Sequence, residues 1–311
     1  MAGIYNHVGG SGRGVTMAGV MNYSGRDYTG LRMAFILDAV RNNFKGLQMS
    51  GVYSHVGGEL HGVQISFIGN YVNSNIHGSQ YAGIFNGARM NMRGLQAAGI
   101  MNMTRGFMSG AQMAGIGNIA GDVHGVQMSG IFNKAKHVQG TQIAAILNIA
   151  DHSDCPIGLI NIIRDGEMSI GVTYDMTGNI VLAFRSGGRV MYGIIGIGYN
   201  PDTEDGIVWE GGIGAHINIL RWFKINNELT VTNMDMLHSS VSQASYSLLP
   251  AFRIGQHFEL FAGPSFNYMY TQSDKGGNAN LFPQNSVWKK VVGEDIQQMF
   301  IGFKVGAQYV F

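Results

Sequence analysis

The stretch Gly125-Val-Gln-Met-Ser-Gly-Ile-Phe-Asn133 ("GVQMSGIFN") decides the fold, because near copies of it run through the first half of the chain. "GLQMSGVYS" starts at Gly46, "GVQISFIGN" at Gly62, "GSQYAGIFN" at Gly78, "GLQAAGIMN" at Gly94, "GAQMAGIGN" at Gly110 and "GTQIAAILN" at Gly140. The leading glycines, from Gly14 through Gly110, are spaced by sixteen, and Gly125 and Gly140 by fifteen. A fixed short period marks a solenoid, in which each repeat buries its faces only against its neighbours. β-Branched residues and glycine recur and no 3.6-residue apolar stripe does, so the coils are strands. The nine quoted residues read as one strand and the rest as turns around a second, short one. About ten coils are expected, each rising ~4.8 Å.

Columns through the repeats assign faces. Counting the glycine as position one, the fifth is Ala or Ser (Ala18 to Ala144) and the seventh is Ile or Val (Val20 to Ile146). Both are expected to point inward, where volume is fixed. Glutamines at position three (Gln48 to Gln142) and asparagines at position nine (Asn22, Asn70 to Asn161) share that parity. Stacked amides can bond along the axis and satisfy one another, so a structural ladder is the expectation; a sugar-binding amide row is the alternative. The opposite parity is apolar: Met17, Met33, Met49, Tyr81, Met113 and Met128 at position four, and Tyr53, Phe85, Met101 and Phe132 at position eight. An exposed apolar strip of this length marks an interaction surface, and methionine suits an adaptable one. A protein partner is expected on it. His61 and His77 sit on adjacent coils, but Arg93 continues their column, so a turn position is expected and no metal.

Composition narrows the classes. With 47 glycines, 5 prolines and 13% charged residues, the 311-residue chain lacks the charge that keeps chains disordered. A net charge of +1 and the lack of any basic run offer no nucleic-acid surface. The one cysteine, Cys155, excludes a disulfide framework and reads as a small buried side chain. There is no stretch of ~20 apolar residues that would make a membrane-spanning helix. The opening "MAGIYN" aligns with Met17–Asn22 in mid-repeat, so a longer precursor with a targeting segment is expected.

From Met168 the long period vanishes and a period of two begins. In the last segment Met299, Ile301, Phe303, Val305, Ala307, Tyr309 and Phe311 oppose Gln298, Gly302, Lys304, Gly306 and Gln308. Phe258, Leu260, Phe266, Tyr268 and Tyr270 likewise oppose Glu259, Gly263, Ser265 and Asn267. Similar segments bring the strand count to eight. The bulky face is apolar, whereas the other carries glycine and charges of both signs, among them Arg185, Glu210, Lys224, Glu228, Arg253, Glu259 and Lys304. That distribution is what a small membrane barrel needs, with lipid outside and a filled polar lumen. Trp209, Trp222, Tyr199, Tyr268, Tyr270 and Tyr309 stand where interfacial girdles belong.

The terminal strand, with Val305, Tyr309 and Phe311, resembles the C-terminal signature of bacterial outer-membrane β-barrel proteins, and "FAGPSFNYMY" (Phe261–Tyr270) looks like their strands. The resemblance implies insertion by the barrel-assembly machinery, contact with membrane lipid and lipopolysaccharide, and an outer-membrane location. The repeat half resembles the surface-repeat segments of envelope proteins of leptospiral and Bacteroidota type, through Gly-x-Gln-x-Ala/Ser-Gly-Ile-x-Asn. The expected architecture is therefore all-β: a β-solenoid of 15–16-residue coils over residues 1–164, then an eight-stranded antiparallel transmembrane β-barrel over 165–311. Tight connections at "RSGGR", "NILRW" and "RIGQH" and longer ones at Asn200–Asp205, Asn233–Gln243 and Thr271–Gln297 put the solenoid on the periplasmic side, while the surface-repeat likeness points outward.

Chemistry is sparse. "HSDC" (His152–Cys155) sets side chains next to one another that a triad would need convergent in space. "GIIGIGYN" is followed by no helix and so is no phosphate loop. Lumen carboxylates beside basic residues read as an ion network. The expected function is a non-enzymatic envelope platform without cofactor or metal, the barrel anchoring the solenoid. The alternatives are a lipid-modifying barrel enzyme, for which His216 and His257 are nominal candidates, and an accessory of a transport or secretion complex. A pore is disfavoured by the narrow lumen.

Overall fold

The computed structural model describes residues 2–203, 206–234, 241–271, 286–292 and 295–311, and the described residues include no helix. The chain divides into two compact units, Met1–Asp154 and Cys155–Phe311.

The first unit is a β-solenoid. Each coil supplies a seven-residue strand and a four-residue strand, as in Met92–Ala98 and Met101–Thr104. The strands stack in parallel, column upon column: Gln80 beside Gln96 beside Gln112, and Asn86 beside Asn102 beside Asn118. The step is sixteen residues, falling to fifteen from Gly110 to Gly125 and again to Gly140. The shorter coil loses its residue from the turn at Gly121–Asp122, where Arg105, Gly106 and Phe107 stand one coil earlier, so the strand register survives.

The nine-residue block is not one strand. In the copy starting at Gly94, the long strand ends at Ala98, Gly99 and Ile100 make a bend, and the second strand starts at Met101. The bend breaks the period of two. Positions three, five and nine point inward as expected, but position seven does not: Val20, Ile36, Ile68, Ile84, Ile100, Ile116, Ile131 and Ile146 are 39–47% exposed. The apolar interior is supplied instead by positions eleven and fifteen, such as Val40, Val56, Val72, Phe44, Leu60, Ile76 and Met92.

The repeat glycine has a local cause. From Gly14 to Gly140 these residues adopt φ between +115° and +144°, inside a strand, where an L side chain is strained. A Cβ on Gly94 would also lie 1.9 Å from the carbonyl oxygen of Gly78 on the preceding coil. Only glycine fits a stacked column of that shape.

The second unit is a closed barrel of eight antiparallel strands: Glu167–Asp175, Ile180–Gly187, Met191–Tyr199, Ile207–Leu220, Phe223–Met234, Val241–Ile254, Phe258–Thr271 and Asp295–Val310. First and last strands close it, from Ser169 beside Val310 to Asp175 beside Lys304. Trp288–Val292 adds a short hairpin partner to the final strand. The connections at Gly188–Val190, Arg221–Trp222 and Gly255–His257 are the tight ones expected, and lie at the end where the chain starts the barrel at Glu167. The opposite connections fall largely outside the described residues, apart from Met176–Asn179 and the flanks of the others.

Alternation sorts the wall. Ile170, Val172, Leu182, Ile197, Leu229, Val231, Leu248, Leu260, Ile301 and Phe303 point outward and are exposed, whereas Arg185, Glu210, Lys224, Glu228, Thr230, Ser247, Glu259, Asn267 and Lys304 point inward and are buried. Aromatic groups gather toward both ends of the outer face. Trp222, Phe223 and Phe252 pack together at the tight-turn end, with Tyr309 edge-on to Phe258 and Phe311. Tyr174, Tyr199 and Trp209 stand exposed toward the other.

Candidate interaction surface

The amide columns are internal. Gln64 donates to Gln48 at 2.8 Å, and the ladder continues through Gln80, Gln96, Gln112 and Gln127 to Gln142, each step between 2.7 and 3.0 Å. The asparagine amides do the same across Asn70, Asn86, Asn102, Asn118, Asn133 and Asn148 at 2.9–3.0 Å. Nδ2 groups of this column also reach a strand carbonyl of the next coil, as Asn86 does at Ala97 O, 2.8 Å. With both columns wholly buried, the row offers nothing to a sugar.

One coil departs from both columns at once. Arg32 stands at position three and Asp38 at position nine, and both are fully buried. Arg32 Nε donates to Asp38 Oδ1 at 2.7 Å, Gln48 Nε2 donates to the same oxygen at 2.6 Å, and Asn22 Nδ2 donates to Oδ2 at 3.0 Å. The guanidinium also lies 4.6 Å over the Tyr28 ring. Burial pushes the Asp38 carboxyl up against the pull of Arg32, Gln48 and Asn22. No sequence motif names this pair; the paired departure from two columns is its signal.

The outward residues form an edge, not one row. Met17, Met33, Met49, Tyr81, Met113 and Met128 lie on the outer face of the long-strand sheet, and Tyr53, Phe85, Met101 and Phe132 on that of the short-strand sheet. Between them runs the bend with its Ile/Val column, and Phe35 and Phe67 at position six, 75% and 77% exposed. The structure thus joins the two predicted rows around a third that unbroken alternation would turn inward. Two open grooves follow the long-strand side. One of about 510 Å3 runs past Met17, Met33, Met49 and Phe35, and the other of about 540 Å3 past Tyr81, Met113 and Met128; both are floored by the small position-five residues.

Charge is segregated to the other edge. From Arg13 to Asp151, every charged side chain that is not buried falls at positions twelve to sixteen, save Lys134. Toward the polar turns, hydrogen bonds from Asn75 and His61 hold the Glu59 carboxyl below its usual range. His55, on the short-strand face and stacked on Tyr71, is held below its ordinary pKa by burial. His61 and His77 stack with centroids 4.9 Å apart, and no group of three metal-ligating side chains occurs among the described residues.

The barrel lumen is filled by an ion network. Arg185 Nε donates to Glu228 Oε1 at 2.8 Å, and Tyr192 Oη to the same oxygen at 3.0 Å. Lys304 lies 2.8 Å from Glu210, Lys224 3.0 Å from Glu259, and Arg253 bridges Glu167 at 2.6 Å and Glu259 at 3.3 Å. Four cations thus meet four carboxylates. The cavity left beside Asp175, Glu210 and Lys304 is about 10 Å3, at the threshold for one water. His216 lies within the network, bonded to Asn226 at 2.9 Å and stacked on Tyr192, while His257 sits at the tight-turn end against Val310 O at 2.9 Å. Among the described residues neither ring is hydrogen-bonded to a serine hydroxyl. His152 and Asp154 of the "HSDC" stretch bond to each other at 3.2 Å, with Ser153 buried between them and Cys155 half-buried. Val305, Tyr309 and Phe311 lie on the outward face of the closing strand.

Fold and surface together define the class: an all-β chain joining a β-solenoid to a closed eight-stranded antiparallel barrel. Comparison with family profiles, curated proteins and solved structures returned no match for this chain.

Proposed function

We propose that this chain is a non-enzymatic integral protein of a Gram-negative outer membrane, whose barrel anchors the solenoid as a platform for an envelope component. One observation carries the reading: the closed barrel turns its large apolar side chains outward and its charges into a filled, ion-paired lumen. Water-soluble barrels invert that distribution; lipid rewards it, because each apolar side chain stays out of water and every strand is paired. The strand lengths fit, since tilted crossings need ~9–11 residues. The aromatic clusters toward both ends suit the two interfaces. The platform role rests on the apolar edge, whose length over the repeats is more than isolated surface residues account for. The terminal Val305, Tyr309 and Phe311 supply the signal for the barrel-assembly machinery.

Flotation tests the reading. Chain expressed with its membranes is expected to float with them through a density gradient after washing in strong urea. Recovery in the wash would contradict an integral barrel.

A further inference from the structure

We infer that the polar turns of the solenoid between Asn75 and Phe107 bind a linear acidic polysaccharide, one whose sugars carry carboxylates. The site lies wholly within the solenoid and on its polar side, so it stands apart from the membrane reading of the barrel and from the apolar edge.

Charge is the first observation. Residues 60–121 contain no aspartate or glutamate, yet Arg89, Arg93 and Arg105 occur there with His61 and His77, and all three arginines are exposed. Elsewhere on this edge the two signs are mixed, as at Arg26 and Asp27. The carboxylates that bracket the stretch are engaged: Glu59 with Asn75 at 2.9 Å and His61 at 3.4 Å, Asp122 with His137 at 2.8 Å. Among the described residues no ion pair reaches any of the three arginines. Arg89 and Arg105 stand at position twelve of successive coils, a ~4.8 Å step apart, so like charges are stacked without a counter-charge. A polymer bearing anions supplies one.

A cleft is the second. Asn75, His77, Asn91, Arg93 and Phe107, from three successive coils, line about 230 Å3 of open space. Sites that engulf a small molecule hold ~300–1,000 Å3, so this cleft takes one unit of a longer ligand. Asn91 Oδ1 accepts the Phe107 N–H at 2.9 Å, and its Nδ2 has no partner among the described residues.

The third is Phe107 itself. At position fourteen, Asp27, Asn43, Asn75 and Asn91 each accept, through a side-chain oxygen, the backbone N–H of the equivalent residue on the next coil. A phenyl ring cannot, and Phe107 stays 38% exposed on the cleft. The exchange costs the turn a hydrogen bond and gives the surface a flat ring. The C–H face of a pyranose packs on such a ring, whose own face carries negative density. Arg93 then takes a carboxylate on its two-pronged guanidinium, and Asn91 Nδ2 donates to a hydroxyl. A chain lying along the solenoid axis meets one turn per ~4.8 Å, close to the length of one pyranose in an extended polymer. Nucleic acid fits less well: duplex DNA carries a charge per ~1.7 Å of axis, a density that these arginines do not match.

The test titrates the full chain into fluorescently labelled ligands and reads anisotropy. Hexasaccharides of mannuronic or galacturonic acid are expected to bind, and neutral mannohexaose and hexaglutamate to bind at least about tenfold more weakly. Arg93→Gln, Arg89→Asn and Phe107→Asn install residues that other coils carry in the same columns, at Gln139, Asn73 and Asn91, so the coils are kept. Each is expected to weaken binding of the acidic hexasaccharide by about tenfold, whereas Arg41→Asn, outside the carboxylate-free stretch, should leave it unchanged. Equal binding of hexaglutamate or of mannohexaose would overturn the inference, by showing that charge alone or sugar alone is read. Tighter binding of a single-stranded oligonucleotide would overturn it too, as would no binding of either acidic hexasaccharide at millimolar concentration. The comparison of ligands on the parent chain decides the matter even where a variant fails to fold.

Discussion

Replacing Asp38 by Asn keeps the shape of the solenoid interior and removes one charge from a fully buried pair. In the parent, Arg32 Nε is 2.7 Å from Asp38 Oδ1, and no water-exposed face is open to the guanidinium. Asp38→Asn leaves Arg32 charged, because a guanidinium does not give up its proton, and with only the neutral amide oxygen at 38 and the Ala39 carbonyl to bond. Breaking a buried pair on one side costs about 3–5 kcal/mol. The double change Arg32→Gln with Asp38→Asn rebuilds the ladder of the later coils: Gln48 then donates to the new side-chain amide at position 32, as Gln64 does to Gln48. That variant is expected within about 1 kcal/mol of the parent. Because solenoid coils open locally, amide hydrogen exchange over residues 28–50 is the assay. The single variant should exchange about two to three and a half powers of ten faster there, at ~1.4 kcal/mol per tenfold. If the single and double variants exchange alike, the charge is not confined as described and the reasoning fails.

Gly94→Ala, forced to φ +132° with its Cβ against Gly78 O, is expected to cost at least ~1–3 kcal/mol, whereas Gly10→Ala, with open space around it, should stay within ~0.5 kcal/mol; thermal melts of the two variants check the contrast. Burial depresses the His55 pKa, so its contribution to stability is present above the unfolded value near 6.5 and is lost as pH falls from there through the folded one. His55→Gln should flatten that part of the pH profile of solenoid melting. In the lumen, Glu228→Gln strands Arg185 while Lys304 keeps Glu210, an expected loss of about 3–5 kcal/mol, read as a lower temperature for conversion of the folded to the unfolded gel band.

Much of this architecture is written in the residues, for different reasons in the two halves. In the solenoid each residue stacks on its own equivalent, so the sixteen-residue period of glycine, glutamine and asparagine is the fold itself. In the barrel, alternation of large apolar with small or charged residues reports the two sides of each strand directly. The bend between the sheets is not legible, because alternation predicts faces only while a strand continues. Gly99 and Ile100 interrupt it, and Ile100 turns outward although it shares the parity of buried Gln96 and Asn102. The same interruption hides the continuity of the apolar edge: Met113 and Met101 are on different sheets, and the isoleucines that join them read as core residues wherever the strand is taken as unbroken. Arg32 and Asp38 are visible as departures from their columns, but that they meet requires positions three and nine to face each other across the coil.

Heat-modifiability tests the central claim most directly: the chain folded in detergent, run on a denaturing gel with and without boiling. A closed eight-stranded barrel held by its own strand pairing is expected to stay folded unboiled and migrate differently from the boiled chain. Identical migration, together with solubility in detergent-free buffer, would contradict a membrane barrel.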